Sequence, residues 1–406
     1  MALVQGTAIV VSARRVGWFG VALGALAFWL ALPPLASRTV VLPIAIGILA
    51  IAAGVWAMGR GERRVGWGAV AAGLLGIGFG VLATRSSTAH LDQVVVWGAL
   101  GAATLRYATP LVYAAIGGLF CERSGVINVA LEGMLLSGAF FGLWTAGWAH
   151  PWAGSAAWIV GLAGAAFAGM AFAAIHAVWS IQFKVDQIIS GTAINFLSLG
   201  VTSYLYIDKY GAAGTPGNVY QYGIPDVHLG FLSGWTLIGP IFGRLNLMIW
   251  LSFLLLIATS VFVFRTPFGL RLRAVGEHPR AADTVGISVY RTRYLAVIGS
   301  GGIAAMGGAY LSIGFVHSFS QGMTNGIGFI GLAALVFGKW RPFPTWVATL
   351  LFGFSSALAG PLSQAYGDQW GTLFQALPYV LTLIAVAGVI GRSIGPAAAG
   401  RPYARQ

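Results

Sequence analysis

Charge is scarce in this sequence. Asp, Glu, Lys and Arg make up 8% of its 406 residues, against about 25% in a soluble domain. That is too little charge to cover a water-facing surface. Several apolar stretches approach or exceed the roughly 20 residues that carry a helix across a bilayer. A membrane β-barrel does not suit such stretches, because its strands alternate and are only about ten residues long. Cysteine is nearly absent: the single Cys121 excludes an internal disulfide and any multi-cysteine metal site. Lysine is rare too. Lys184, Lys209 and Lys339 are followed by Val185, Tyr210 and Trp340, whereas a phosphate-binding P-loop needs Ser or Thr there. No two of the six histidines stand four apart, which argues against a helical zinc site. No Gly-x-Ser-x-Gly elbow is present. The expectation is an all-α polytopic membrane protein that is not itself an enzyme and carries no metal site or cofactor.

What charge there is has one sign and a definite placement. The net charge is +13. A nucleic-acid binder gathers its basic residues on one exposed face. Here they fall in short groups between apolar segments, as the positive-inside bias produces. The pattern gives about twelve membrane segments, with both termini in the cytoplasm. This topology puts 18 of the 23 basic residues inside and 4 outside (Arg38, Arg85, Lys209, Arg244), with Arg106 unassigned. The N-terminal apolar part precedes Arg14 and Arg15, the reverse of a cleaved signal peptide.

Three regions are expected. Residues 1–90 form an accessory block of three membrane helices, rich in the small residues that let membrane helices pack closely. Residues 91–392 form the core, and 393–406 a basic cytoplasmic tail. Within the core, the helix over 94–120 should be interrupted near Arg106 and Pro110, because proline removes a helix hydrogen bond. Residues 207–245 read as an outer loop with a short re-entrant or interfacial helix near Leu232 to Ile241. An internal repeat of the core is suggested by Gly125-Val-Ile-Asn128 and Gly322-Met-Thr-Asn325, each opening a Gly- and Leu-rich segment.

Two stretches carry the chemistry. The first is CERSGVINVALEG at 121–133. Glu122 and Arg123 suit the cytoplasmic surface. Asn128 and Glu132 stand four apart, on one face if helical, and polar groups at membrane depth face a cavity or a partner. They serve either a solute path or the support of a broken helix. Gln187 and Asn195 lie on a later span, Asp186 suits that helix's N-terminus, and Asn325 with Phe329 occupies the matching place in the second half. Amides beside an aromatic ring suit a ring-shaped polar ligand. The second stretch is RLRAVGEHPRAADTVG at 271–286, a charge cluster in a cytoplasmic loop over 265–293. Pro279 is placed to start a short helix running to about Val285.

Four motifs together resemble a known family: PLVYAAIGGLFCERSGVINVALEG (110–133), VDQIISGTAINFLSLG (185–200), LRAVGEHPRAADTVGI (272–287) and GFIGLAALVFGKW (328–340). They resemble permease subunits of bacterial ABC importers for branched-chain amino acids, ribose and nucleosides, and most closely the shorter permease of the nucleoside/simple-sugar branch. The resemblance covers residues 94–392. It implies a nucleoside permease of the bacterial cytoplasmic membrane, paired with a second, non-identical permease subunit. Solute would arrive on an extracytoplasmic binding lipoprotein, and ATP and magnesium would sit on a separate ATPase. Asn128, Glu132, Gln187, Asn195 and Gly328 fall in the family's recurring segments. Glu277, Pro279, Ala281, Ala282, Asp283 and Gly286 fall in its coupling segment, with His278 and Arg280 between them. The block at residues 1–90 departs from the family pattern. Alternatives are a simple-sugar permease, an autonomous carrier or channel without an ATPase, and an exporter-type or scaffold subunit.

Overall fold

The computed structural model describes residues 12–30, 40–85, 96–211, 214–215, 217–232, 234–235, 238–366, 375–384 and 394–404. The predicted boundary near residue 90, and basic residues Arg38, Arg392 and Arg405, lie outside them. Fifteen α-helices are present among the described residues: α1 Ala13–Leu30, α2 Val41–Gly59, α3 Arg63–Arg85, α4 Trp97–Arg123, α5 Leu131–Ala153, α6 Ala157–Ala177, α7 Gln187–Tyr210, α8 Gly239–Phe242, α9 Leu247–Arg265, α10 Pro267–Glu277, α11 Pro279–Thr284, α12 Val289–Ala309, α13 Ile327–Phe337, α14 Pro342–Tyr366 and α15 Leu377–Ile384. Seven stretches are long and apolar enough to cross a bilayer, one of which, 131–182, holds both α5 and α6. The protein is a polytopic helical membrane protein.

The chain divides into two compact units, 1–100 with 355–392, and 101–354 with 393–406. In the first, α1, α2 and α3 pack on one another through glycine and alanine. A Cβ on Gly54 would come within 2.6 Å of the Gly66 carbonyl oxygen, and one on Gly73 within 2.6 Å of the Gly47 carbonyl oxygen. Backbones this close exclude larger side chains and gain dispersion contact that lipid alone does not supply.

In the second unit, α12 packs against both α5 and α6. Again the contact depends on small residues: a Cβ on Gly138 would strike the Ala305 backbone, and one on Gly301 the Gly169 backbone. Phe140, Leu143, Tyr113, Met248, Tyr310 and Ile313 are buried together in one hydrophobic cluster. α4 is continuous through Pro110, unlike the expected interruption. Proline leaves the carbonyl four residues earlier without its helical donor. That carbonyl, on Arg106, accepts instead from the Tyr310 hydroxyl at 3.3 Å.

Among the described residues of 207–245, short 3-10 turns stand at Val219–Tyr222 and Gly230–Leu232, and the four-residue helix α8 falls near the expected short helix. A two-stranded antiparallel ladder, β1 Asp226–His228 with β2 Arg244–Asn246, was not expected. Asn246 anchors the ladder by donating to the carbonyls of Ile224 at 2.8 Å and Gly314 at 3.3 Å.

Candidate functional site

The break between α4 and α5, residues 124–130, is built around buried polar side chains. Gly125 takes φ +88°, a conformation open mainly to glycine, and a Cβ there would sit 2.9 Å from an Arg293 nitrogen. Asn128 is fully buried. Its oxygen accepts from the Ala130 N–H at 3.1 Å, and its amide donates to Ser300 Oγ on α12 at 2.7 Å. Gln187 Oε1 accepts from the Ile127 N–H at 2.7 Å. Asn195 accepts from the Gly133 N–H at 2.8 Å and donates to the Val129 carbonyl at 3.0 Å. His176, also buried, lies 2.9 Å from Ser190 Oγ and 3.2 Å from the Ile127 carbonyl. Non-helical backbone at membrane depth is tolerated only when its polar groups are satisfied. Asn128, Gln187, Asn195 and His176 supply that satisfaction.

Glu132 stands in the first turn of α5 and reaches the start of a second broken segment. One oxygen accepts from Thr324 Oγ1 at 2.6 Å and from the Gly326 N–H at 2.8 Å; the other accepts from the Gly328 N–H at 2.7 Å. It thus caps α13, whose first N–H groups have no partner inside the helix, and its negative charge suits that helix end. Gly328 makes the approach feasible: a Cβ there would lie 2.5 Å from the Glu132 nitrogen and Cα. The N-termini of α5 and α13 therefore meet at one carboxylate.

Asn325 and Phe329 are placed differently. Both are exposed on the chain's surface, Phe329 by 46%. Asn325 takes φ +39°, which asparagine tolerates better than most residues. Glu132 joins the two breaks, Asn128, Gln187 and Asn195 stitch the first, and Asn325 and Phe329 stand at the second with their side chains outward.

The charged loop forms α10 and α11. Thr266 caps α10, accepting from the Gly269 N–H at 3.2 Å. Pro279 occupies the first turn of α11, and Gly286 stands just past its end at φ +83°. Ala282 is buried with Val275, Val289 and Tyr403. Glu277, His278, Arg280, Ala281 and Gly286 are exposed, and Pro279 and Asp283 are partly so. Asp283 Oδ2 accepts from the Tyr403 hydroxyl at 2.8 Å, and Glu277 Oε2 from the Ala397 N–H at 3.2 Å.

Some contacts were missed by sequence reasoning. Glu122 is buried and accepts from Trp340 Nε1 at 2.5 Å, while Arg123 donates to the Trp340 carbonyl at 2.7 Å. They hold Lys339 and Trp340 at φ +53° and +52°. The CER and GKW motifs are thus two halves of one contact, and their shared place in the motif set was the available signal. Arg293 is buried and donates to the carbonyls of Ser124 and Arg401, both at 3.2 Å. Nothing in the local sequence distinguishes it from a surface arginine.

Comparison with known proteins matches the sequence to one family. The guanosine ABC transporter permease protein NupQ of Bacillus subtilis is 40% identical over 319 residues, 77% of this chain and 98% of NupQ. The nucleoside ABC transporter permease protein NupC of Lactococcus lactis is 38% identical over 308 residues, 74% of this chain and 94% of NupC. The putative glucose ABC transporter permease protein TsgC13 of Haloferax volcanii is 38% identical over 261 residues, 63% of this chain and 75% of TsgC13. No solved structure matches. These relatives are named as permeases, in keeping with a translocation subunit rather than an enzyme. The family described as branched-chain amino acid transport system / permease component matches residues 100–386, and the chain belongs to it.

Proposed function

We propose that this chain is a transmembrane permease subunit of a nucleoside-importing ABC transporter in the bacterial cytoplasmic membrane. The observation that carries the reading is its similarity, at 38–40% identity over at least 94% of their lengths, to two permeases named for guanosine and for nucleosides. In this reading a binding lipoprotein delivers the solute outside, a separate ATPase drives the cycle from inside, and a second, non-identical permease completes the pathway. The exposed Asn325 and Phe329 suit the face that meets that second permease. A nucleobase there would stack on the Phe329 ring and bond to the Asn325 amide. Asn128, Gln187 and Asn195 have their hydrogen bonds taken within the chain, so they act by holding the broken helices in place.

About twelve segments with both ends in the cytoplasm remain our topology, with 1–90 as an accessory block. A repeat within the core is supported by three parallels. Gly125 and Gly322 both take positive φ. Each stands in a break before a helix, α5 or α13. And α6 and α12 both end in π-type turns, at Val178–Gln182 and Tyr310–Phe315.

A second reading, a simple-sugar permease, is favoured by the likeness to the glucose permease TsgC13. Uptake of labelled guanosine by cells with and without this chain separates the two. The expected result is loss of uptake on deletion, competition by unlabelled nucleosides, and none by glucose or ribose. Competition by sugars alone would establish the second reading. Uptake that persists without the ATPase would mean an autonomous carrier.

A further inference from the structure

The segment after the core, residues 394–404, folds back onto α10 and α11. The Ala398 N–H donates to the Gly276 carbonyl at 2.9 Å. Glu277 and Asp283 are bound by the Ala397 N–H and the Tyr403 hydroxyl. The Tyr290 hydroxyl donates to the Tyr403 carbonyl at 3.3 Å, and Arg293 holds the carbonyl of Arg401. Tyr403 is only 7% exposed, packed with Val275, Ala282 and Val289. An end tied down by this many bonds is part of the folded surface.

Between this segment and α11 lies a groove of about 490 Å³, lined by Glu277, Arg280, Ala281, Arg401 and Pro402 among others. Two arginines, Arg280 and Arg401, and one carboxylate, Glu277, line it, so basic groups outnumber acidic ones by one. Arg280 and Arg401 are exposed, and neither has an ion-pair partner among the described residues. A positive patch flanking a groove favours an acidic partner and speeds its docking.

We propose that the ATPase docks on a composite surface, α11 together with the C-terminal segment, and that the groove between them receives an acidic segment of the ATPase. This rests on the permease reading above and extends it beyond the family match, which ends at residue 386. The segment does two things. It sets the position of α11 by binding Asp283 on that helix and Glu277 at the end of α10, and it adds Arg401 to the docking charge.

The test is retention of the ATPase by the purified full-length permease complex. Arg401→Glu alters only the outward side chain, because the contact to Arg293 uses the Arg401 carbonyl. We expect Arg280→Glu and Arg401→Glu each to lower ATPase retention by roughly tenfold or more. Arg401→Lys should restore most of it, and rising salt should weaken the wild-type complex. A melting profile matching wild type checks that each variant is folded. Tyr403→Phe, which keeps the ring and removes the bond to Asp283, should lower uptake more than it lowers ATPase retention. If Arg280→Glu releases the ATPase and Arg401→Glu does not, the composite surface is wrong and docking on α11 alone stands. If neither releases it, docking on α11 fails as well. Tighter retention by Arg401→Glu would overturn the acidic occupant.

Discussion

Glu132 shows how one side chain can join two interrupted helices. Its two oxygens accept from Thr324, Gly326 and Gly328, so removing it orphans three donors at the start of α13. Leaving a buried donor unmade costs about 1–3 kcal/mol each, and hydrogen bonds to charged groups are the stronger ones. Glu132→Ala should therefore lower stability by roughly 3 kcal/mol or more, read as a fall in melting temperature of the purified protein. Glu132→Gln keeps one acceptor and should fall between. If Glu132→Ala melts like wild type while uptake is lost, the carboxylate acts on the solute and not on the helix. From the sequence, Asn128 and Glu132 were legible as unusual polar groups at depth, with solute path and helix support left open. The partners were not legible. Glu132 bonds to residues 192 to 196 positions away, and no local pattern encodes such a pairing.

At the scale of elements, the periodic apolar stretches gave the helices, because burial in lipid is decided by composition over a whole segment. Breaks and kinks were harder, since they depend on what lies across the gap. Pro110 is the clear case. A proline in a helix predicts an interruption, and α4 runs on because Tyr310 supplies a donor to the Arg106 carbonyl. Replacing Pro110 by alanine would restore a backbone N–H to that carbonyl. Tyr310→Phe should thus cost about 1 kcal/mol in the wild-type background and clearly less beside Pro110→Ala. A double-mutant cycle on melting free energies measures the coupling. Equal losses in both backgrounds would mean that the hydroxyl's contribution does not depend on the carbonyl that Pro110 frees. Helix α11 was more legible: Pro279 and Gly286 mark a start and a stop by their own backbone preferences, and the observed Pro279–Thr284 helix lies between them. Its covering by residues 394–404 was not, because a short basic tail reads as solvated.

For the whole molecule, the open matter is the block before the core. The family match begins at residue 100, while NupQ is covered over 98% of its own length by 77% of this chain. The shared machinery therefore fits within the residues beyond α1–α3. These helices pack closely on one another, Gly20 against Ala69 and Ala53, and Phe28 against Phe79 with ring centroids 4.6 Å apart. Helices that bury their small residues among themselves, as α1–α3 do, keep those contacts without the core and suit an independent bundle in the membrane. Yet α15 also touches α3, so removing the block uncovers part of a core-sequence helix. A chain beginning at residue 91 should still insert, still retain the ATPase, and still take up most of the guanosine that the full chain does. Its melting temperature should drop, because α15 loses a neighbour. Insertion and ATPase retention with uptake abolished would place α1–α3 on the solute's route, and would make the accessory assignment wrong.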